Sequence, residues 1–230
     1  APLVLLSQLA KGPVEALTYD GIFSGDRMAL PLDRETLSCF FFHSLALSAW
    51  KQSGQTKWAL RVNPSSGNLH PTEAYVISGP VSNLTEKPMI AHYDPYYHGL
   101  ETRLELSLGE WNQMAGGLPE GSFVLGLTSI HWRESWKYGE RAFRYCQHDT
   151  GHALACLQAA AMMLGWEVRR LDYFSSTQIE TILGVGGQVG HEKEHGACLL
   201  AVVPRATLPK DRAPVLHCGD GFFHALAHRE

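Results

Sequence analysis

At 230 residues and 25.4 kDa the chain is long enough for one large domain or two small ones with a sizeable core, so a mini-protein held by staples is excluded. A content of 45% hydrophobic and 18% charged residues fits a compact soluble domain and excludes disorder. Nineteen basic against 23 acidic residues leave a formal charge of −4, without the basic excess that a nucleic-acid partner requires.

The longest nearly uncharged apolar stretch, 153–166, is too short to span a bilayer and carries Gln158, so no membrane association is expected. Five cysteines stand singly, without a CxxC, at Cys39, Cys146, Cys156, Cys198 and Cys218. That pattern predicts no disulfide framework and a reducing, cytoplasmic setting. The chain opens APLVLL, with no initiator Met, basic n-region or cleavage pattern, as a piece of a longer polypeptide would.

In chain order, short apolar runs broken by Gly12, Pro13, Gly21, Gly25 and Pro31 predict an irregular or short-helical leading segment over 1–30. Asp33 suits an N-cap, and Leu37, Phe40, Phe41, Leu45 and Leu47 recur at helical spacing, predicting a helix that runs to Lys51 and stops near Gly54. Strands are expected at 73–78 and 90–93, then a turn over 92–98 around Asp94-Pro95. A helix follows over 104–114, closed by Gly116-Gly117, and a strand over 122–130. The clearest element is 143–165, where Cys146, Ala153, Leu154, Leu157, Ala160, Ala161 and Leu164 keep helical spacing and predict a long, buried central helix. A strand at 166–171, a helix at 176–183 and a buried strand at 197–203 complete the chain. Helices around a mostly antiparallel central sheet, with no regular β-α alternation and no GxGxxG after a strand, predict an α+β fold in a single domain over 1–230. No linker and no repeat divides it.

The chemically richest segment is 61–71. Pro64 and Pro71 restrict the backbone while Arg61, Ser65, Ser66, Asn68 and His70 crowd the same stretch. It reads either as a cradle that holds a polar ligand by directed hydrogen bonds or as a turn-rich loop before a strand. His148, His152 and Cys156 fall at i, i+4 and i+8 of one helix, but that separation spans roughly 12 Å, too far for all three to reach one ion. No metal is expected; His152 reads as a buried, hydrogen-bonded residue and Cys156 as a small hydrophobe. Met162, Met163 and Trp166 read as core. Glu192, Lys193 and Glu194 read as a solvated turn beside the glycines of 184–187, a mobile flap without an assigned role.

Pro64, Ser65, Ser66, Asn68 and Pro71 resemble, in register, the PSSxNxQP loop of the FMN-dependent nitroreductase family, with His70 where Gln is usual. Downstream, 136–145, then Asp149-Thr150-Gly151-His152 and Met163-Leu164-Gly165, resemble the KYGxRxYR and GH…GL signatures of its SagB-type dehydrogenase branch. The likeness covers 30–204. It implies a nitroreductase-like fold and a non-covalent FMN, with Pro64, Ser65, Ser66, Gly67 and Asn68 as the flavin loop and Arg61 and His70 as adjoining cofactor-binding candidates. Arg61 suits a phosphate by its planar fork of donors and equally suits an ion pair. The resemblance also places Leu164 and Gly165 where a backbone amide nears flavin N5, and Lys137 and Tyr138 as the catalytic pair that assists proton removal while hydride passes to flavin.

One family feature is missing: no RRSxR segment precedes Leu30, and Arg27 and Arg34 stand alone, so Lys210 and Arg212 become substitute phosphate ligands. The family builds its flavin site across a two-fold interface, which implies a homodimer or pairing with a second nitroreductase-like half. The expected activity is an FMN-dependent oxidoreductase acting on a small organic or peptide-derived substrate; the alternative is a non-catalytic half-domain that sequesters flavin or completes a partner's site.

Overall fold

The computed structural model describes residues 2–7, 17–24, 27–209 and 213–219. Nine strands and six α-helices follow one another among them: β1 (Leu3–Leu5), α1 (Tyr19–Phe23), α2 (Arg34–Phe42), β2 (Leu47–Ser53), β3 (Thr56–Arg61), β4 (Thr72–Ser78), β5 (Met89–Asp94), β6 (Gly99–Glu105), α3 (Leu108–Ala115), β7 (Phe123–Ser129), α4 (His131–Tyr138), α5 (Ala142–Met163), β8 (Trp166–Arg170), α6 (Ser176–Leu183) and β9 (His195–Pro204). Seven strands form one sheet in the order β1-β6-β5-β4-β7-β9-β8, with every pair antiparallel. This is the α+β class with a mostly antiparallel central sheet that the sequence predicts.

Period-2 alternation divides the sheet between two layers. Ala74, Val76, Leu125, Leu127, Leu200 and Val202 face α2 and α5, meeting Leu37, Phe40, Phe41, Ala153, Leu157, Ala160 and Ala161. Tyr75, Ile77, Val124, Leu199, Ala201 and Val203 face the other way, onto Ile179, Ile182 and Leu183 of α6 and Met114 of α3. Strands β4 and β7 are buried at every position and form the rigid centre. Among the described residues no helix is long and apolar enough to cross a membrane, and all five cysteines are free.

Asp33 caps α2 within a capping box, as expected, but the helix ends at Phe42 and not at Lys51. Ser44 Oγ donates to Phe40 O at 2.7 Å and the Leu45 and Ala46 amides turn back to Phe41 O, so the last turn closes on itself. The chain then enters a β2–β3 hairpin across Gly54, whose φ is +58°. Leu47 matched the helical spacing while serving as a strand residue. Likewise the helix expected over 104–114 starts only at Leu108, because Leu104 pairs with Ile90 in the sheet and the Ser107–Glu110 capping box sets the start. Residues 92–94 belong to β5, and the turn is tightened by Asp94 Oδ1 accepting from the Tyr96 and Tyr97 amides. Helix α4 and strands β1, β2, β3 and β6 were not anticipated; α4 is short, and its large aromatics Trp132 and Trp136 are exposed rather than part of the core.

Helix α5 runs 22 residues, buries Cys146, Asp149, Thr150, Ala153, Leu157, Ala160 and Ala161 on one face, and turns into β8 through Gly165 at φ +71°. A Cβ there would collide with the Met28 carbonyl, and the corner is tied by Leu30 N to Leu164 O and Arg205 N to Gly165 O. Trp166 is core, its indole donating to Leu30 O at 2.8 Å. Gly165→Ala is expected to lower the unfolding free energy by about 2 kcal/mol or more, through a left-handed backbone and a backbone collision together, as read from the urea midpoint at unchanged slope.

Candidate functional site

The loop after β3 carries three left-handed residues in four positions: Gly67 at φ +63°, Asn68 at +59° and His70 at +49°. Gly visits this conformation freely and Asn and His more readily than most residues, but three such residues in four positions still need neighbours to hold them. Asp149, 1% exposed on α5, does so. Its carboxylate accepts from Ser65 Oγ (2.7 Å), Ser66 Oγ (3.0 Å) and the Ser66 amide (3.0 and 3.1 Å). Ser65 Oγ in turn accepts from the His70 amide at 2.8 Å.

Asn68 Nδ2 donates to Ala59 O at 2.9 Å, which leaves its Oδ1 to accept from His70 Nε2 at 2.8 Å. Burial, and secondarily the charge of Arg61, pushes the His70 imidazole down to about 4, so the ring is neutral with its proton on Nε2. His70 Nδ1 and Asn63 Oδ1 are then buried acceptors with no protein partner.

Two distant segments converge on Gly67. A methyl group at this glycine would lie 2.5 Å from Tyr138 Oη and 2.6 Å from Lys137 Nζ. Tyr138 is steadied by the Tyr145 ring on α5, with centroids 4.4 Å apart, and Lys137 Nζ sits 5.4 Å from the Tyr138 centroid. One turn earlier on α4, Arg133 Nη1 donates to His70 O at 2.9 Å and fastens the helix to the loop.

Arg61 is engaged elsewhere. Its guanidinium donates to Thr72 O at 3.1 Å and lies 3.8 Å from Glu73 Oε1, so of its two possible roles the structure displays an ion pair, buried rather than at the surface. Glu73 also accepts from Arg133 Nη1 at 2.6 Å and His92 Nε2 at 3.0 Å, while His92 Nδ1 reaches Glu101 at 3.1 Å. Burial opposes ionisation of Glu73, but the His92 hydrogen bond and the charges of Arg61 and Arg133 outweigh it and hold the carboxyl at about 2. Burial likewise opposes the His92 imidazolium, and the bond to Glu73 outweighs it, so His92 titrates above its ordinary value.

The 192–194 turn is anchored, not merely solvated. Glu192 pairs with Arg133 Nη2 at 2.7 Å, and Glu194, 7% exposed, accepts from Tyr75 Oη, Thr128 Oγ1 and Gln188 Nε2.

The structure thus gathers Pro64, Ser65, Ser66, Gly67, Asn68, His70, Lys137 and Tyr138 at one end of α5. Leu164 and Gly165 lie 15 residues along that helix from Asp149, roughly 22 Å away, and are not brought to the loop within one chain. His152 is half-exposed rather than buried, with Nδ1 3.2 Å from Pro64 O. Cys156 Sγ lies 3.9 Å from Val62 O, and no group of His, Cys, Asp and Glu among the described residues could hold a metal. Arg34 donates to Leu5 O, while Lys210 and Arg212 lie outside the described residues. Glu73 and Arg133 do not stand out as site-builders in the sequence, and Asp149 appears there only as part of a motif, with no role. A charged residue inside an otherwise apolar strand run was the available signal for Glu73.

The Glu73 contribution to stability is present above its unfolded value of 4.5 and lost as pH falls through about 2. The His92 contribution is present below 6.5 and lost as pH rises through its elevated folded value. Glu73→Gln is expected to cost about 3–5 kcal/mol near pH 6, because it removes Arg61's carboxylate and leaves Arg133 only Glu192, and to flatten both limbs of a stability profile measured by urea unfolding across pH.

The family model that matches is described as the nitroreductase family and covers residues 51–202, about two thirds of the chain. A protein of Anabaena variabilis assigned as a nitroreductase superposes with a TM-score of 0.63 at 20% identity over 85% of this chain, which spans only 42% of that protein's length. One from Ralstonia eutropha, likewise assigned, superposes at 0.62 and 14% identity over 90% of this chain and 91% of its own. A chain of the E. coli microcin synthetase McbBCD complex with truncated pro-MccB17 bound superposes at 0.58 and 17% identity, over 79% and 71%. A comparison with curated proteins finds no match. At these identities the superpositions establish the fold, and the match of the family model over most of the sheet, the 64–71 loop and α5 establishes that this chain belongs to the nitroreductase family.

Proposed function

We propose that this chain is an FMN-dependent oxidoreductase of the SagB-type branch of its family, with a small organic or peptide-derived compound as substrate. The carrying observation is the convergence of Lys137 Nζ and Tyr138 Oη on Gly67, which joins two motifs about 70 residues apart in sequence into one polar surface. A flavin's uncharged parts fit this cradle. His70 Nδ1 and Asn63 Oδ1 are unsatisfied buried acceptors, and the hydroxyls of Ser65 and Ser66 retain accepting capacity for ribityl hydroxyls after donating to Asp149. Arg61 is committed to Glu73 and Thr72, so it is not assigned to the phosphate.

Bound FMN supplies a centre that accepts or returns hydride. The chain's own part would be to hold the flavin in the 63–70 cradle, keep water from it and manage the proton lost when a substrate bond is oxidised. Lys137 and Tyr138 are the residues placed for the last task, at Nζ and Oη. The family is typically dimeric, and the roughly 22 Å along α5 between the loop and the Leu164-Gly165 corner supports a flavin site shared between two copies or two nitroreductase-like halves.

Freshly purified protein is expected to be yellow and to release FMN on heating at about one per chain; a colourless protein that cannot be reconstituted would favour a non-catalytic half-domain. Asn68→Ala is expected to weaken FMN binding about tenfold, read by quenching of flavin fluorescence. Lys137→Ala is expected to keep FMN bound while slowing its reduction by substrate about 10²-fold; unchanged reduction would remove Lys137 from the mechanism.

A further inference from the structure

Beneath the Lys137–Tyr138 pair lies a carboxyl that no contact explains. Glu134 is 0% exposed, and neither Oε1 nor Oε2 has a hydrogen-bond partner. It stands three residues before Lys137 and four before Tyr138 on α4, hence on the same face of the helix. Helix α4 packs against α5, from which Asp149 and Cys146 face it, and against the short turn carrying the exposed Glu140 and Arg141.

Asp149 and Glu134 are two buried carboxyls in unlike surroundings. Asp149 accepts from two hydroxyls and one amide, so its oxygens are satisfied by donors. Glu134 has no donor, lies in the field of the Asp149 charge, and has Lys137 as the nearest compensating cation. The N-terminal turn of α4 favours its anion weakly, but full burial beside a second carboxylate disfavours it more. Burial first, then Asp149, pushes the Glu134 acid up to about 7.

We propose that Glu134 is a positioning residue for Lys137: uncharged, it leaves the ammonium over Gly67, and ionised, it draws the ammonium back along α4 and off the loop. Ionisation releases one proton to solvent and changes no other bond. The attraction acts between adjacent turns of one helix from a carboxyl that is itself shielded from water, where it is stronger than between two exposed charges. Lys137 is therefore presented to the loop at mildly acid pH and withdrawn on the alkaline side of neutrality, well before a lysine itself would titrate. The inference rests on the reading of Lys137 as part of the site, but its test needs no turnover.

The full chain, with and without FMN, is labelled with ¹³C-glutamate or reductively ¹³C-methylated at its lysines and titrated by NMR. The carboxyl resonance missing from Glu134→Gln is expected to titrate with a midpoint near 7. The lysine resonance missing from Lys137→Arg is expected to step at the same midpoint, and the step is expected to vanish in Glu134→Gln. Should Glu134→Gln fail to fold, coincidence of the two midpoints in the unmutated chain decides. A Glu134 resonance in the ordinary carboxylate range, or a Lys137 step that persists in Glu134→Gln or falls at another pH, overturns the proposal. Failure of the flavin reading appears separately, as protein that takes up no FMN while both resonances still move.

Discussion

The architecture of the site hangs on one carboxylate. Asp149 gathers the Ser65 and Ser66 hydroxyls and the Ser66 amide, and so fixes a loop whose backbone visits the left-handed region at Gly67, Asn68 and His70. Such a loop would not keep its shape unsupported, because two non-glycine residues and a glycine hold positive φ within four positions. Asp149 can hold it only because α5 is itself immobile, seated on the sheet through Ala153, Leu157, Ala160 and Ala161. Rigidity therefore passes from the buried strands β4 and β7 to α5, from α5 to the loop, and from the loop to the place where Lys137 and Tyr138 arrive.

A second set of buried charges secures the other flank. Glu73 draws Arg61, Arg133 and His92 together, and Arg133 extends from it to the His70 carbonyl and to Glu192. Arg133 also lies on α4, four residues before Lys137, so the same guanidinium that neutralises Glu73 orients the helix that delivers the pair. Buried ion pairs contribute little net stability when compared with apolar packing, yet they penalise every arrangement that separates them. Here that penalty keeps α4, the loop and the 188–194 stretch in one relative placement.

Legibility differed sharply among residues. Locally an ordinary lysine and tyrosine, the Lys137–Tyr138 pair stood out only through its resemblance to a family motif, whereas the 64–71 loop was visible because its ordered polar residues lie between two prolines. Asp33 as a cap, 176–183 as a helix and 197–203 as a strand were visible for the same local reason: caps, turns and short apolar periods act over a few residues. The β2–β3 hairpin was hidden because Leu45 and Leu47 continue a helical spacing that Ser44 and the Leu45 and Ala46 amides physically terminate at Phe42. Arg61 was ambiguous in principle, since a guanidinium suits a phosphate and a carboxylate alike, and only the position of Glu73 separates the two.

By itself, then, the sequence determined the α+β class and most of its helices and strands, which follow from local pattern, while the loop and pair that meet at Gly67 stood out through their resemblance to ordered family motifs. Tertiary structure alone decided the rest. It bound Arg61 to Glu73, set Asp149 beneath the serines, left Glu134 buried without a partner, and placed Leu164 and Gly165 at the far end of α5. Each of those outcomes depends on which side chains meet across long sequence separations, and on how burial then sets the charge that each can carry.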